Sequence, residues 1–180
     1  MVPMEELFDI VDDQDRVIGQ APRSACHGNP ALIHRVAHVL VFNSAGQVLL
    51  QKRSRFKDVQ PGRWDTSVGG HLDPGEDYLA GALREMAEEL GIINQPLELL
   101  YSYPHRNTFE SENVTSFWLC YDGPVHFDPK EIEAVAFYSP ERIAQMLGSG
   151  FLTPNFEHEW SLFLEWESNR GALTSPFSNT

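Results

Sequence analysis

Near the start of the chain, two short apolar-rich runs, 7–12 and 16–20, flank the polar turn Asp13-Gln14-Asp15, a pattern that predicts a β-hairpin. A second hairpin is predicted where β-branched and apolar runs, 36–42 and 47–53, surround the turn-forming cluster Asn43-Ser44-Ala45-Gly46. Pro61-Gly62 and Gly69-Gly70 punctuate the loop-rich stretch that follows. At Asp77 the period changes: Leu79, Ala82, Leu83, Met86, Ala87 and Leu90 recur at helical spacing, and Gly91 stands where a C-terminal cap belongs. Later runs predict strands over 97–103, 114–121 and 134–138, then helices over 140–147 and 155–168. Hairpins early and interleaved elements later predict an α/β chain with a mixed sheet and packed helices, not an all-parallel doubly wound one. There is no internal repeat, so 1–170 reads as one domain and 171–180 as a polar tail expected to fray.

Composition narrows the partners. The 180 residues, 42% of them hydrophobic, are enough for one sizeable core. A formal net charge of -13 argues against nucleic acid and against an anionic membrane, and favours a small ligand or a cation. Cys26 and Cys120 lie far apart, with no signal-peptide start and no apolar run of membrane length, so the expected location is the cytoplasm.

On the predicted helix, Glu85, Glu88 and Glu89 stand at i, i+3 and i+4, opposite the apolar stripe. Like charges at this spacing destabilise a helix by a few tenths of a kcal/mol, so stability does not favour them. Converging carboxylates are, however, what a hard divalent cation such as Mg²⁺ needs. Five of the 13 basic residues, Lys52, Arg53, Arg55, Lys57 and Arg63, crowd between positions 52 and 63. In so acidic a chain they are candidate phosphate anchors. Trp64 and Phe56 are candidates for stacking on a base. His38, His105, His126 and His158 are expected to be surface or hydrogen-bonded residues.

Gly70, then Glu76, then Arg84-Glu85-Met86-Ala87-Glu88-Glu89-Leu90-Gly91-Ile92 together resemble the complete signature of the Nudix hydrolases. That resemblance implies an α/β/α sandwich with a mixed sheet, and cleavage of the pyrophosphate bond of a nucleoside diphosphate linked to another group. It further implies Mg²⁺ or Mn²⁺ held by Glu85, Glu88, Glu89 and the Gly70 carbonyl, with Arg84 and Glu76 as a supporting pair, and leaves a homodimer open. One of the glutamates or another acid is implied as the base, and a further acid from outside the motif is expected to join the three glutamates at the cation, with Glu110, Glu112, Glu131 and Glu133 as candidates.

The stretch from Phe8 to His71 is also similar to the isopentenyl diphosphate isomerase branch of that superfamily. The residues that carry the likeness are Phe8-Asp9-Ile10-Val11-Asp12, His27, His34, Phe42-Asn43, Pro61-Gly62-Arg63-Trp64 and Ser67-Val68-Gly69-Gly70-His71. The isomerase has a catalytic cysteine where this chain has Gly69, and a tryptophan where it has Asn155 after Thr153-Pro154. Both departures favour hydrolysis over isomerisation. A catalytically silent nucleotide sensor is the alternative from another class. The isomerase likeness also implies a second metal site, of His27, His34, His71, Glu110 and Glu112.

Overall fold

A computed structural model describes residues 5–57 and 59–170, so the tail expected over 171–180 lies outside the described residues. In chain order the elements are β1 (Leu7–Val11), β2 (Val17–Pro22), α1 (Arg23–Cys26), β3 (Ile33–Phe42), β4 (Val48–Arg53), β5 (Trp64–Asp65) and β6 (Val68–His71). There follow α2 (Tyr78–Leu90), β7 (Glu98–Arg106), β8 (Ser111–Cys120), β9 (Ile132–Tyr138), α3 (Pro140–Met146) and α4 (Pro154–Arg170). The strands form one mixed sheet organised by β3, which runs antiparallel to β6 and, along its whole length, parallel to β8. β1 and β4 meet the two ends of β3, β9 lies antiparallel to β4, and β7 is the edge strand on β8.

Strand alternation sorts the core into two layers. Ala37, Val39 and Val41 of β3, with Leu49, Val68, Phe117 and Leu119, face Ala82, Met86 and Leu90 of α2. Leu40 and Phe42, with Val48, Leu50 and Trp118, face Ile143 and Met146 of α3 and Phe156, Trp160 and Phe163 of α4. The expected helix–sheet–helix sandwich is therefore present. The Asp77 carboxylate caps α2 by accepting from the Ala80 N–H, and Gly91, at φ 65°, closes it in the left-handed conformation. Met86 is fully buried, so Met86→Ala should cost about 2–5 kcal/mol in urea unfolding with turnover per folded molecule retained.

The sequence pattern and the structure differ at element ends. β3 begins at Ile33 and β8 at Ser111, before their apolar runs, because pairing between them carries the polar residues His34 and Glu112 into the sheet. β7 continues through Pro104, which an edge strand tolerates because one side needs no N–H donor. β5 and β6 arise inside the stretch expected as loop, and α1 is a single unpredicted turn. No helix among the described residues is long and apolar enough to cross a membrane.

Candidate active site

β6 is built around two adjacent glycines that face opposite sides of the sheet. Gly70, paired with Ala37, looks toward α2, where a Cβ would stand 2.0 Å from the Glu85 carboxyl carbon. Gly69, paired with His38, looks the other way, where a Cβ would come 3.3 Å from His38 Nε2. The absence of side chains here lets carboxylate and imidazole approach the backbone from either face.

Arg84 anchors the acidic edge of α2. Its Nε and Nη2 donate to the two oxygens of Glu76 at 2.8 and 2.9 Å, Nη2 also donates to the His71 carbonyl at 3.0 Å, and Nη1 donates to Glu85 at 2.8 Å. The expected Arg84–Glu76 pair thus ties α2 to the loop before it and to the end of β6. Glu89 accepts from the Gln51 amide at 2.9 Å and from the Gly69 N–H at 3.2 Å. Burial, with the Glu85 charge next in weight, pushes its carboxyl up to about 8. Burial also raises Glu85, against the Arg84 guanidinium. Glu88 is exposed and reaches Arg84 at 3.3 Å. The three carboxylates share one edge; Glu85 and Glu88 share the Arg84 guanidinium, while Glu89 is held by the Gln51 amide and the Gly69 N–H.

This edge opens into a cavity of about 430 Å³. Gly70, Glu85, Glu88 and Glu89 line it, as do His71 and Glu112. Among the proposed anchors, Arg53 lines the cavity and Lys52 and Arg55 do not; both of the latter pair with Glu133, at 2.8 and 3.4 Å. Alternation along β4 separates Lys52 from Arg53, Arg55 lies beyond the strand, and Lys57, in the loop that follows, joins Arg53 at the cavity wall. Trp64 is packed against Tyr138 and Phe151, away from the cavity lining, and Phe56 is exposed. Of the outside acids, Glu112 and Glu131 line the cavity; Glu110 and Glu133 do not. His38, Asp65 and Asp128 line it too, and sequence reasoning had singled out none of them for the site.

The structure gathers the histidines. His27, His34 and His71 present ring nitrogens within 4.8 Å of one another, as do His34, Glu110 and Glu112 their ligand atoms. Nε2 of all three histidines is buried without a hydrogen-bond partner. His34 and His71 each stand 3.6 Å from the same Glu112 oxygen, and His27 stands 3.7 Å from Glu110. Such gaps exceed hydrogen bonds and are close to the ~3.4 Å that separates two ligands on one tetrahedral metal ion. Phe8 stacks on His34 and His71 with centroids 5.0 and 4.3 Å away, which fixes both rings. Burial pushes His27 down to about 4 and lowers His71, favouring the neutral imidazoles that a metal requires. Burial opposes the Glu112 charge, but His34 and His71 hold its carboxyl below the usual range.

The NUDIX domain pattern matches residues 32–164. A Nudix hydrolase of Yersinia pestis is 36% identical over 143 residues, covering 77% of this chain and 75% of that protein. One of Pseudomonas aeruginosa is 37% identical over 141 residues, covering 76% and 80%. An isopentenyl-diphosphate Delta-isomerase of Photorhabdus laumondii is 29% identical over 164 residues, covering 87% and 93%. Among solved structures, DR0079 of Deinococcus radiodurans superposes with a TM-score of 0.72 at 28% identity, covering 82% of this chain and 92% of that one.

Proposed function

The chain belongs to the Nudix hydrolase family, and from that premise we propose that it cleaves the pyrophosphate bond of a nucleoside diphosphate derivative or a related diphosphate, using Mg²⁺ or Mn²⁺. The observation that carries the reading is the seat at Gly70, where a missing side chain admits the Glu85 carboxylate beside an intact set of glutamates at a cavity wall. Glu85, Glu88, Glu89 and the Gly70 carbonyl offer only hard oxygen donors, and they fit a divalent cation in kind. Bound there, such an ion neutralises phosphate oxygens and acidifies a water. Arg84 and Glu76 position the ligating edge, and Arg53 and Lys57 offer positive charge to the phosphates. Assay of nucleoside di- and triphosphates, nucleotide sugars, dinucleotides, coenzyme A and isopentenyl diphosphate with Mg²⁺ or Mn²⁺ should detect hydrolysis of at least one. Silence across the panel, with the metals supplied, overturns the reading in favour of a sensor.

Dimethylallyl diphosphate should not form at a rate comparable with hydrolysis, because Gly69 carries no group that transfers a proton. On the hydrolysed substrate, Arg53→Ala should raise KM by about tenfold, in the range of a lost charged hydrogen bond, while Lys52→Ala and Arg55→Ala leave it near wild type. Equal effects from all three would remove the distinction drawn from the cavity lining.

The second metal site is part of the same proposal. His27, His34, His71, Glu110 and Glu112 combine imidazole and carboxylate donors suited to Zn²⁺ or Mn²⁺. Protein purified without chelators should carry close to one equivalent of such a metal, lost in His34→Ala. Metal-free wild-type protein, after growth with both metals, would sink this second site and leave the glutamate site standing.

A further inference from the structure

One ion pair, its carboxylate fully buried and its imidazole half-buried, belongs neither to the glutamate edge nor to the histidine cluster. His38 sits in the middle of β3, and its Nδ1 stands 2.7 Å from Oε2 of Glu159 on α4. The other carboxylate oxygen of Glu159 accepts from the Ser116 hydroxyl. Glu159 has no exposed surface, and its neighbours Phe156, Trp160 and Phe163 belong to the apolar layer beneath the sheet. Packing gives no reason for a carboxylate there. Each desolvated ion costs several kcal/mol, and apolar residues of similar volume often match or exceed a buried ion pair in stability.

The geometry gives the pair a direction. With Nδ1 committed to Glu159, Nε2 is the remaining polar atom of the ring, and no residue among those described accepts from it. It lies beside Gly69, whose missing side chain leaves the path to the cavity open, and His38 lines that cavity together with Asp65 and Asn155. Burial disfavours the imidazolium, yet Glu159 foremost, then Asp65 and Glu112, push His38 up to about 9. The ring therefore offers a charged N–H to the cavity at neutral pH. In a cavity walled by so many carboxylates, one more cation offsets the repulsion an anionic ligand meets. A carboxylate-oriented imidazolium suits an anionic oxygen, since charge-assisted hydrogen bonds are about twice as strong as neutral ones.

We propose that His38, oriented by Glu159, donates a hydrogen bond from Nε2 to a phosphate oxygen of the bound diphosphate, across β6 from the glutamates. The inference rests on the diphosphate-hydrolase reading and adds to it a contact that the glutamate motif does not contain. The probe is magnesium imidodiphosphate, whose P–N–P bridge resists cleavage. Calorimetric titration should show His38→Phe binding it about tenfold or more weakly than wild type, with part of the loss recovered in His38→Gln, which keeps an N–H donor. In wild-type protein labelled with ¹⁵N-histidine, the Nε2 resonance of His38 should shift on addition of the probe.

Unchanged affinity in a folded His38→Phe overturns the proposal. Should that variant fail to fold, an Nε2 resonance unmoved at saturation overturns it in the wild-type protein. If wild type binds the probe and His38→Phe binds it equally, only the His38 contact falls. If wild type does not bind it at all, the hydrolase reading falls as well.

Discussion

Glu89→Gln should lower turnover by at least about a hundredfold while the protein melts at or above the wild-type temperature. The two halves of this result have one cause. Glu89 lies against β6, where it accepts hydrogen bonds from the Gln51 amide and the Gly69 N–H, and burial works against its charge. A glutamine has nearly the same shape and still offers one oxygen to those donors, so removing the charge relieves a desolvation cost without opening a cavity. What it loses is the anionic oxygen that a divalent cation needs. Glu88→Gln should lose turnover in the same way, and its exposed side chain predicts little change in stability. Steady-state rates across a Mg²⁺ and Mn²⁺ titration, with thermal melts, check both. Near-normal turnover in the two variants, with metal still required, would remove the glutamates from the site.

Gly70→Ala is the second large effect, and it arises from space alone. The added methyl would stand 2.0 Å from the Glu85 carboxyl carbon and 2.3 and 2.4 Å from its oxygens, far inside contact distance. The obstructed atoms are the far end of a flexible side chain, so the carboxylate moves and the backbone stays. The expected result is a protein that melts close to wild type, with turnover down by about two orders of magnitude or more, the scale of losing one preorganised electrostatic contact. Raising the metal concentration should not restore the rate, since the seat itself is filled. A Gly70→Ala protein with wild-type activity would show that Glu85 needs no place against this strand.

The acidic site was legible because its parts are local. Glu85, Glu88 and Glu89 fall on one edge of one helix, and helical periodicity alone puts them together. The histidine cluster was legible only through resemblance, as its members come from α1's end, β3, β6 and the turn into β8. The basic cluster was half legible. Its charges are clear in the sequence, but β4 sends Lys52 toward the Glu133 that β9 brings alongside, and that strand order cannot be read from the pattern.

His38 and Glu159 were missed because 121 positions separate them and each looks unremarkable alone. Two weak signals did exist. His38 shares the parity of Leu40 and Phe42 in an apolar strand, and Glu159 stands between Phe156 and Phe163 on the buried side of its helix. A polar residue in phase with a core stripe on each of two elements suggests a partnership, although not with whom.

The glycine pair in β6 also bears on how this enzyme can diversify. Where carboxylates and an imidazole close in from opposite faces, the partition between them is bare main chain; a side chain added at Gly70 would meet the Glu85 carboxylate, and one at Gly69 would meet His38. A change that spares both approaches falls on the rim, for example on the loop between β4 and β5 that carries Lys57 and the exposed Phe56. The fold thus sets a backbone septum, where an added side chain meets a carboxylate or an imidazole, apart from a margin where substitution leaves both in place.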